Sequence, residues 1–279
     1  MERETQLMIS KGVDLSIVDL FSGYGEKDII KSLNMEIKRG EIVSICGPNG
    51  AGKTTLFKTL SSYIKPRLGK IYFDKSSIDN YSFKQLSKII AVIKQQIIPA
   101  KISVYDYVSM GRFPYYKPFQ FFRSLEDKER CEHYIELTKL TRLKDKMLNE
   151  ISGGERQLAQ IAKGLCQEPK LLLLDEPISS LDISHQIQIM DLIRDLNREL
   201  KFTAIFILHD LNLASEYSNR VALLSKGKIH SFDKPEIVLN SRSIQEVYNA
   251  KVIIEKNSLS NKPMVIPVSK DYENIIYNN

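Results

Sequence analysis

No run of eighteen apolar residues occurs in the 279-residue chain, so no helix is expected to span a membrane. The segment Met1 to Lys11 is charged and lacks an apolar stretch with a cleavage site, so a secretory signal is not expected and the cytoplasm is the expected compartment. Cysteine is scarce. Cys46, Cys131 and Cys166 lie far apart without metal-ligand spacing, which points to free thiols under reducing conditions. No internal repeat and no low-complexity stretch appears. An excess of one charge sign is modest, a formal net charge of +6. The basic residues are interleaved with acids, the pattern of a solvated surface, and no nucleic-acid partner is expected. A basic face near a bilayer is the minority reading. The 43% hydrophobic content is enough for one sizeable core plus a subdomain.

The order of patterns along the chain reads as α/β. Val13 to Leu20 alternates in part, Leu33 to Ile37 alternates cleanly, and Ile42 to Cys46 is a short apolar run. A helical pattern begins at Lys53. From Ile97 to Asn149 the composition turns helical, aromatic and charged. Phe113, Tyr115, Tyr116, Phe119, Phe121 and Phe122 crowd there, with Pro114 and Pro118 among them. This reads as an inserted helical subdomain, its aromatics forming either a local mini-core or a docking surface. The α/β pattern then returns, with a helix over Glu155 to Gln167, a buried strand over Leu171 to Asp175 and an amphipathic helix over Ile183 to Leu200. Another apolar strand covers Phe202 to Leu208. Apolar strands alternating with helices predict a mainly parallel sheet covered on both faces. From Lys228 onward short strands and helices finish the core, and Tyr272 to Asn279 is expected to fray.

One segment carries most of the chemistry. Gly47-Pro48-Asn49-Gly50-Ala51-Gly52-Lys53-Thr54-Thr55 fits G-x-x-x-x-G-K-[ST] and lies between an apolar strand and a helix. Its glycines let backbone N–H groups turn toward phosphate oxygens, and the helix adds its positive end. Lys53 is expected to reach the β- and γ-phosphates, and the Thr54 hydroxyl to ligate Mg²⁺. Leu171 to Asp175 ends in a carboxylate suited to hold Mg²⁺ beside that loop. Glu176 follows and can polarise the attacking water. Adjacent like charges repel, and a bound metal explains why both acids are kept. His209 closes the next apolar strand, on the same sheet edge as Asp175, where it either contacts the γ-phosphate or orients Glu176. His133, His185 and His230 have no such context.

This cradle, the turn Ser152-Gly153-Gly154-Glu155-Arg156-Gln157, Leu171 to Pro177, Ser180-Leu181-Asp182 and His209 occur in the order found in ABC transporter ATPase subunits. The chain resembles that family over nearly its whole length. The resemblance implies a P-loop ATPase core with a mainly parallel sheet, an antiparallel β-subdomain and an inserted α-helical subdomain. The expected division is one domain, with core and β-subdomain over 11–96 and 150–255, the helical subdomain over 97–149 and an appendage over 256–279. It implies two copies paired head to tail, with Ser152, Gly153, Gly154, Glu155 and Asp182 of one copy reaching the ATP held by the other. It also implies that Tyr24 stacks on adenine. Gln95, with Gln96 beside it, would sense the γ-phosphate and Mg²⁺ and link to a membrane subunit. Departures are Lys94 where proline commonly precedes the glutamine, Ile151 for leucine, Leu158 for a basic residue and Ile178 for threonine. None is a phosphate or metal ligand, and Lys94 bears on the stiffness of that loop.

Val108-Ser109-Met110-Gly111-Arg112-Phe113-Pro114-Tyr115, Asn149 to Gln157, Gln167-Glu168-Pro169-Lys170 and Lys262 to Pro267 resemble the branch that imports ferric siderophores, haem and vitamin B12. The function implied is ATP hydrolysis that energises uptake through a separate permease fed by an external binding protein, from the cytoplasmic face of the membrane. Arg112 and Phe113 are expected at the permease contact. The alternatives are an ABC ATPase for zinc, manganese or a lipid, and a soluble ABC-type ATPase of iron–sulfur assembly. Chromosome and repair types are disfavoured because the gap between motifs is short and shows no heptads.

Overall fold

The computed structural model describes residues 12–95, 99–117 and 123–272. Met1 to Lys11, Gln96, Ile97, Pro118, Phe119, Phe121, Phe122 and the chain beyond Tyr272, all named in the sequence reading, lie outside them.

Two antiparallel strands come first, β1 (Leu15–Tyr24) and β2 (Lys27–Ile37). Leu33, Met35 and Ile37 are buried between exposed Asn34 and Glu36, the period-two pattern of a sheet with one covered face, and Leu15, Ile17 and Leu20 of β1 are buried with them, with a register shift between Ile17 and Leu20. β3 (Ile42–Cys46) is buried at all five positions and runs through the glycine-rich loop into α1 (Lys53–Leu60). β4 (Leu68–Phe73) and β5 (Ser76–Ser77) complete an antiparallel sheet of order β2-β1-β4-β5. α2 (Phe83–Ile89) leads to β6 (Ile90–Ile93). The helical insertion holds α3 (Val104–Ser109), a 3₁₀ segment at Met110–Tyr115 and α4 (Leu125–Leu137). It packs on α5 (Gly153–Cys166).

The chain then alternates: β7 (Leu171–Asp175), α6 (Ile183–Leu200), β8 (Thr203–Ile207), α7 (Leu211–Tyr217) and β9 (Arg220–Ser225). β10 (Lys228–Asp233), α8 (Pro235–Val238), α9 (Ser241–Tyr248) and the hairpin β11 (Val252–Lys256) with β12 (Pro263–Pro267) follow. The expected appendage boundary at 255 falls inside this hairpin, since Lys256 pairs with Pro263.

The second sheet has the order β10-β9-β3-β8-β7-β6 and is parallel except where β10 pairs with β9. Its short apolar strands divide two cores by alternation. Val43, Ile45, Leu171, Leu173, Ile205 and Ile207 face α1 and the antiparallel sheet, while Ile42, Cys46, Leu172, Leu174, Ala204 and Phe206 face α5 and α6. Each such side chain contributes about 1.5–3 kcal/mol by leaving water, so these strands are fixed in register from both sides. In that register Ile207 sits beside Ile45 on one flank and Asp175 on the other. The carboxyl ends of β3, β7 and β8 therefore meet at one edge, where an open parallel sheet places its ligand.

Candidate functional site

β3 ends at Cys46, whose thiol burial pushes up to about 12. Gly47 can follow only as glycine, because a Cβ there would stand 2.2 Å from the Leu224 carbonyl. Asn49 and Gly50 are exposed at the tip. The back of the loop is tied down: Ala51 N–H donates to the Pro48 carbonyl at 3.2 Å, and the Ala51 carbonyl accepts from Gly227 N–H at 2.9 Å. Gly52, with φ 107°, is the N-cap of α1 and brings no side-chain acceptor; the first turn of α1 holds no acid. The first amides of α1 thus meet no side-chain acceptor from the cap and no acid in the first turn, at the positive end of a helix, the setting that suits an anion. Lys53 is 7% exposed and folds back over the loop, donating to the Gly47 and Pro48 carbonyls at 2.7 and 3.1 Å. Burial lowers its pKa, opposed by Glu176, Cys46 and Asp175. Thr54 is exposed and Thr55 buried, so only the first hydroxyl faces the open side.

The acidic pair lies beside it. Asp175 ends β7, and burial, then the Glu176 charge, holds its carboxyl above the ordinary aspartate value against the pull of Lys53. Glu176 takes φ 48°, a left-handed conformation that costs a non-glycine residue about 1–3 kcal/mol and marks a constrained site. Its carboxylate is gripped at both oxygens. His209 Nε2 is 2.5 Å from Oε1, and Gln95 Nε2 donates to Oε2 at 2.8 Å. Gln95 also donates to Ser179 Oγ at 3.1 Å. Of the contacts read for His209, the one to Glu176 is made in this structure. Thr54, Lys58, Gln95 and Asp175 line one cleft of about 840 Å³. A second hollow of about 310 Å³ reaches Glu176 and His209. Tyr24 is 50% exposed at the end of β1, its hydroxyl accepting from Lys58 Nζ at 3.1 Å, so it stands over α1.

Ser152 is the N-cap of α5. Its Oγ accepts from Glu155 N–H at 3.2 Å while Glu155 Oε2 accepts from Ser152 N–H at 2.7 Å, a reciprocal capping box. That bond holds the Glu155 carboxyl below its ordinary value. Gly153 is open to solvent. Asp182 caps α6, accepting from His185 N–H at 2.9 Å. Ser152 and Asp182 are thus occupied by their own helix ends, on exposed turns.

The profile of the ABC transporter family matches residues 30–179. The chain belongs to the ABC transporter family. It is 36% identical over 249 residues to the ferric enterobactin transport ATP-binding protein FepC of Escherichia coli, covering 89% of this chain and 92% of that protein. It is 35% identical over 248 residues to the petrobactin import ATP-binding protein FpuD of Bacillus anthracis, covering 88% and 90%. Among solved structures it resembles an ABC transporter described as metal-chelate type, in an inward-facing conformation, with TM-score 0.81, 27% identity and 93% and 99% coverage. It also resembles cbiO1 of Clostridium perfringens, with TM-score 0.74, 31% identity and 85% and 95% coverage. The chain is an ATP-hydrolysing ABC subunit with the family's cassette fold.

One reading changes in the ABC subunit, and another gains a structural reason. Arg112, expected at a permease contact, is 3% exposed and points inward. Its Nε donates to Asp127 Oδ1 at 3.0 Å, and its Nη1 to the Cys166 carbonyl at 2.9 Å and Glu168 Oε2 at 3.1 Å. A long side chain with a charge that must be paired was drawn into the helical layer, and only Phe113 of the two stays exposed, at 56%. Lys94 has a structural use that proline lacks. With its amide oxygen toward Lys94 N–H, Gln160 of α5 accepts at 3.0 Å and donates to the Lys94 carbonyl at 2.9 Å. Ser179 and His185 joined the site unforeseen. The only sequence signal for His185 was its position three residues after a helix-capping aspartate.

Proposed function

We propose that this chain is the ATPase of an importer for iron(III)–siderophore, haem or cobalamin, working as a head-to-tail pair on the cytoplasmic face of the membrane. The reading of the chemistry rests on one observation, the Glu176 carboxylate clasped by Gln95 and His209 beside the phosphate cradle. The cargo class is supported by relatives named for ferric enterobactin and petrobactin. No helix among the described residues is long and apolar enough to cross a membrane. The membrane path is assigned in this reading to a separate permease fed by an external binding protein.

Gly47 to Thr55 hold the triphosphate, with backbone N–H groups and Lys53 meeting its charge. Lys53 exchanges its two loop carbonyls for phosphate oxygens, which restores the solvation its burial removes. Tyr24 offers a ring face to the adenine. Thr54, Gln95 and Asp175 line one cleft and present the hard oxygen donors that suit Mg²⁺, which when bound supplies neutralising charge on the phosphate oxygens. Ser152, Gly153, Gly154, Glu155 and Asp182 of the partner copy close the pocket with a second helix N-terminus. Glu176 takes a proton from the attacking water, and His209 fixes the oxygen that does so. Gln95 bonds the same carboxylate, so a shift of its loop is felt at the base. The permease contact is assigned to Phe113 and its neighbours.

Replacing Glu176 by Gln keeps the bonds' size and removes the base. Turnover should fall by about 10²–10⁴ while Mg·ATP accumulates a paired species on size-exclusion chromatography. A hydrolysis rate near the parent's sinks the assignment of Glu176. Growth of a deletion strain on single iron or cobalamin sources tests the cargo, and unaltered growth on all of them rules the class out.

A further inference from the structure

His185 lies outside every motif of the sequence, and it touches both structures that the proposed pair offers across its interface. Its ring lies against the signature turn: a Cβ built on Gly154 would stand 2.6 Å from His185 Cδ2 and 3.2 Å from Cγ and Nε2. Only a residue without a side chain leaves room for the imidazole there. The ring is held from the other side by the crossing loop, with Nδ1 2.8 Å from Asp182 Oδ2. Asp182 uses its other oxygen, Oδ1, to cap α6 through His185 N–H at 2.9 Å. The side chains of His185 and Asp182 are 43% and 66% exposed. The contact is therefore not core packing that burial alone would select. An Nδ1–H donating to the Asp182 carboxylate satisfies this geometry, since a carboxylate only accepts.

We propose that His185 is a positioning residue, a spacer that sets the distance between the crossing loop Ser180-Leu181-Asp182 and the signature turn Ser152-Gly153-Gly154-Glu155, so that the two meet the partner's nucleotide as one unit. The inference rests on the head-to-tail reading above. Without the spacer the two turns keep the core beneath them, where Leu181 packs on the cluster that holds Ile151 and Leu158, and lose the contact at their exposed rims. The pair's closed state then loses orientation, while the cradle of the same chain is untouched. A small misplacement of groups that must converge on a phosphate lowers rate far more than it lowers binding.

The test separates the two claims. In full-length Glu176→Gln protein, ATP-driven pairing is read by light scattering against protein concentration, and in the parent chain kcat and KM are read separately. A Glu176→Gln protein that stays monomeric at saturating Mg·ATP overturns the head-to-tail reading itself. If it pairs, adding His185→Ala should weaken pairing by about tenfold or more and lower kcat by a similar factor. ATP affinity of the single chain and thermal midpoint should hold, because the Asp182–His185 N–H cap survives the change. His185→Gln, which keeps bulk over Gly154 and an N–H for Asp182, should recover most of both. Pairing and kcat equal to the parent's in His185→Ala overturn the spacer. So does a Gln variant that folds as stably as the parent yet is as defective as the Ala variant.

Discussion

Arg112 permits a stability prediction worked from its surroundings. The guanidinium side chain is 4% exposed and faces Asp127 and Glu168, at 8% and 11%. It lies 3.9 Å over the Tyr115 ring, and Tyr115 in turn donates to the Gln167 carbonyl at 3.0 Å. Gly111 precedes it because a Cβ there would meet the Lys163 carbonyl at 2.3 Å. The segment is thus a clamp on the C-terminal end of α5. Arg112→Ala leaves Asp127 in the helical layer without its cation, takes one of the two cations from Glu168, which keeps Arg130, and strands the Cys166 carbonyl. Breaking a buried pair from one side costs about 3–5 kcal/mol. At about 2–4 °C per kcal/mol for a chain approaching this size, the thermal midpoint should drop by about 6–20 °C. The pH dependence gives a second check. Burial raises the Asp127 carboxyl, but bonds from Ser124 and Arg112 outweigh it and leave the pKa below the ordinary value. Its contribution is therefore complete above the ordinary aspartate pKa and lost as pH falls through the lower folded value. Arg112→Ala should flatten that acid limb. Urea unfolding monitored by circular dichroism between about pH 2.5 and 7 measures both effects. A loss under about 1 kcal/mol with an unchanged acid limb refutes the clamp and returns Arg112 to the surface role.

Gly52→Ala places a methyl 2.9 Å from Ile30 Cδ1 at a φ of 107°, so the cradle should distort and ATP affinity fall by at least about tenfold; equilibrium binding of a fluorescent ATP analogue equal to the parent's contradicts this. Phe113→Ala, by contrast, should leave ATP binding and the thermal midpoint near the parent values while uptake in cells falls. Unchanged uptake removes Phe113 from the contact. All three cysteines are buried, and Cys46 is held at about 12, so a thiol reagent near pH 8 should find no fast-reacting group until denaturant is added; one prompt equivalent counts against the packing.

The phosphate cradle was legible because its requirements are local. Four glycine-or-small positions, one lysine and one hydroxyl between an apolar strand and a helix allow a single kind of backbone, whatever else the chain does. The short apolar runs at Ile42, Leu171 and Phe202 pointed to a parallel sheet for a similar reason, since a strand without polar alternation has to be covered on both faces. From that alone Asp175 and His209 belong at one edge. Long side chains were not legible. Arg112 sits in a segment whose composition reads as exposed, and only the assembled helical layer shows the two acids and the carbonyl that pull it inward. His185 likewise carries no periodic signal, because its partners come from Asp182 in its own cap and from Gly154, thirty-one residues earlier in sequence. Backbone chemistry that repeats over neighbouring residues was settled by the order of the amino acids. Contacts between single side chains across α4, α5 and α6 were settled when burial brought those helices together, because a charge or a ring takes whatever partner the packed chain supplies.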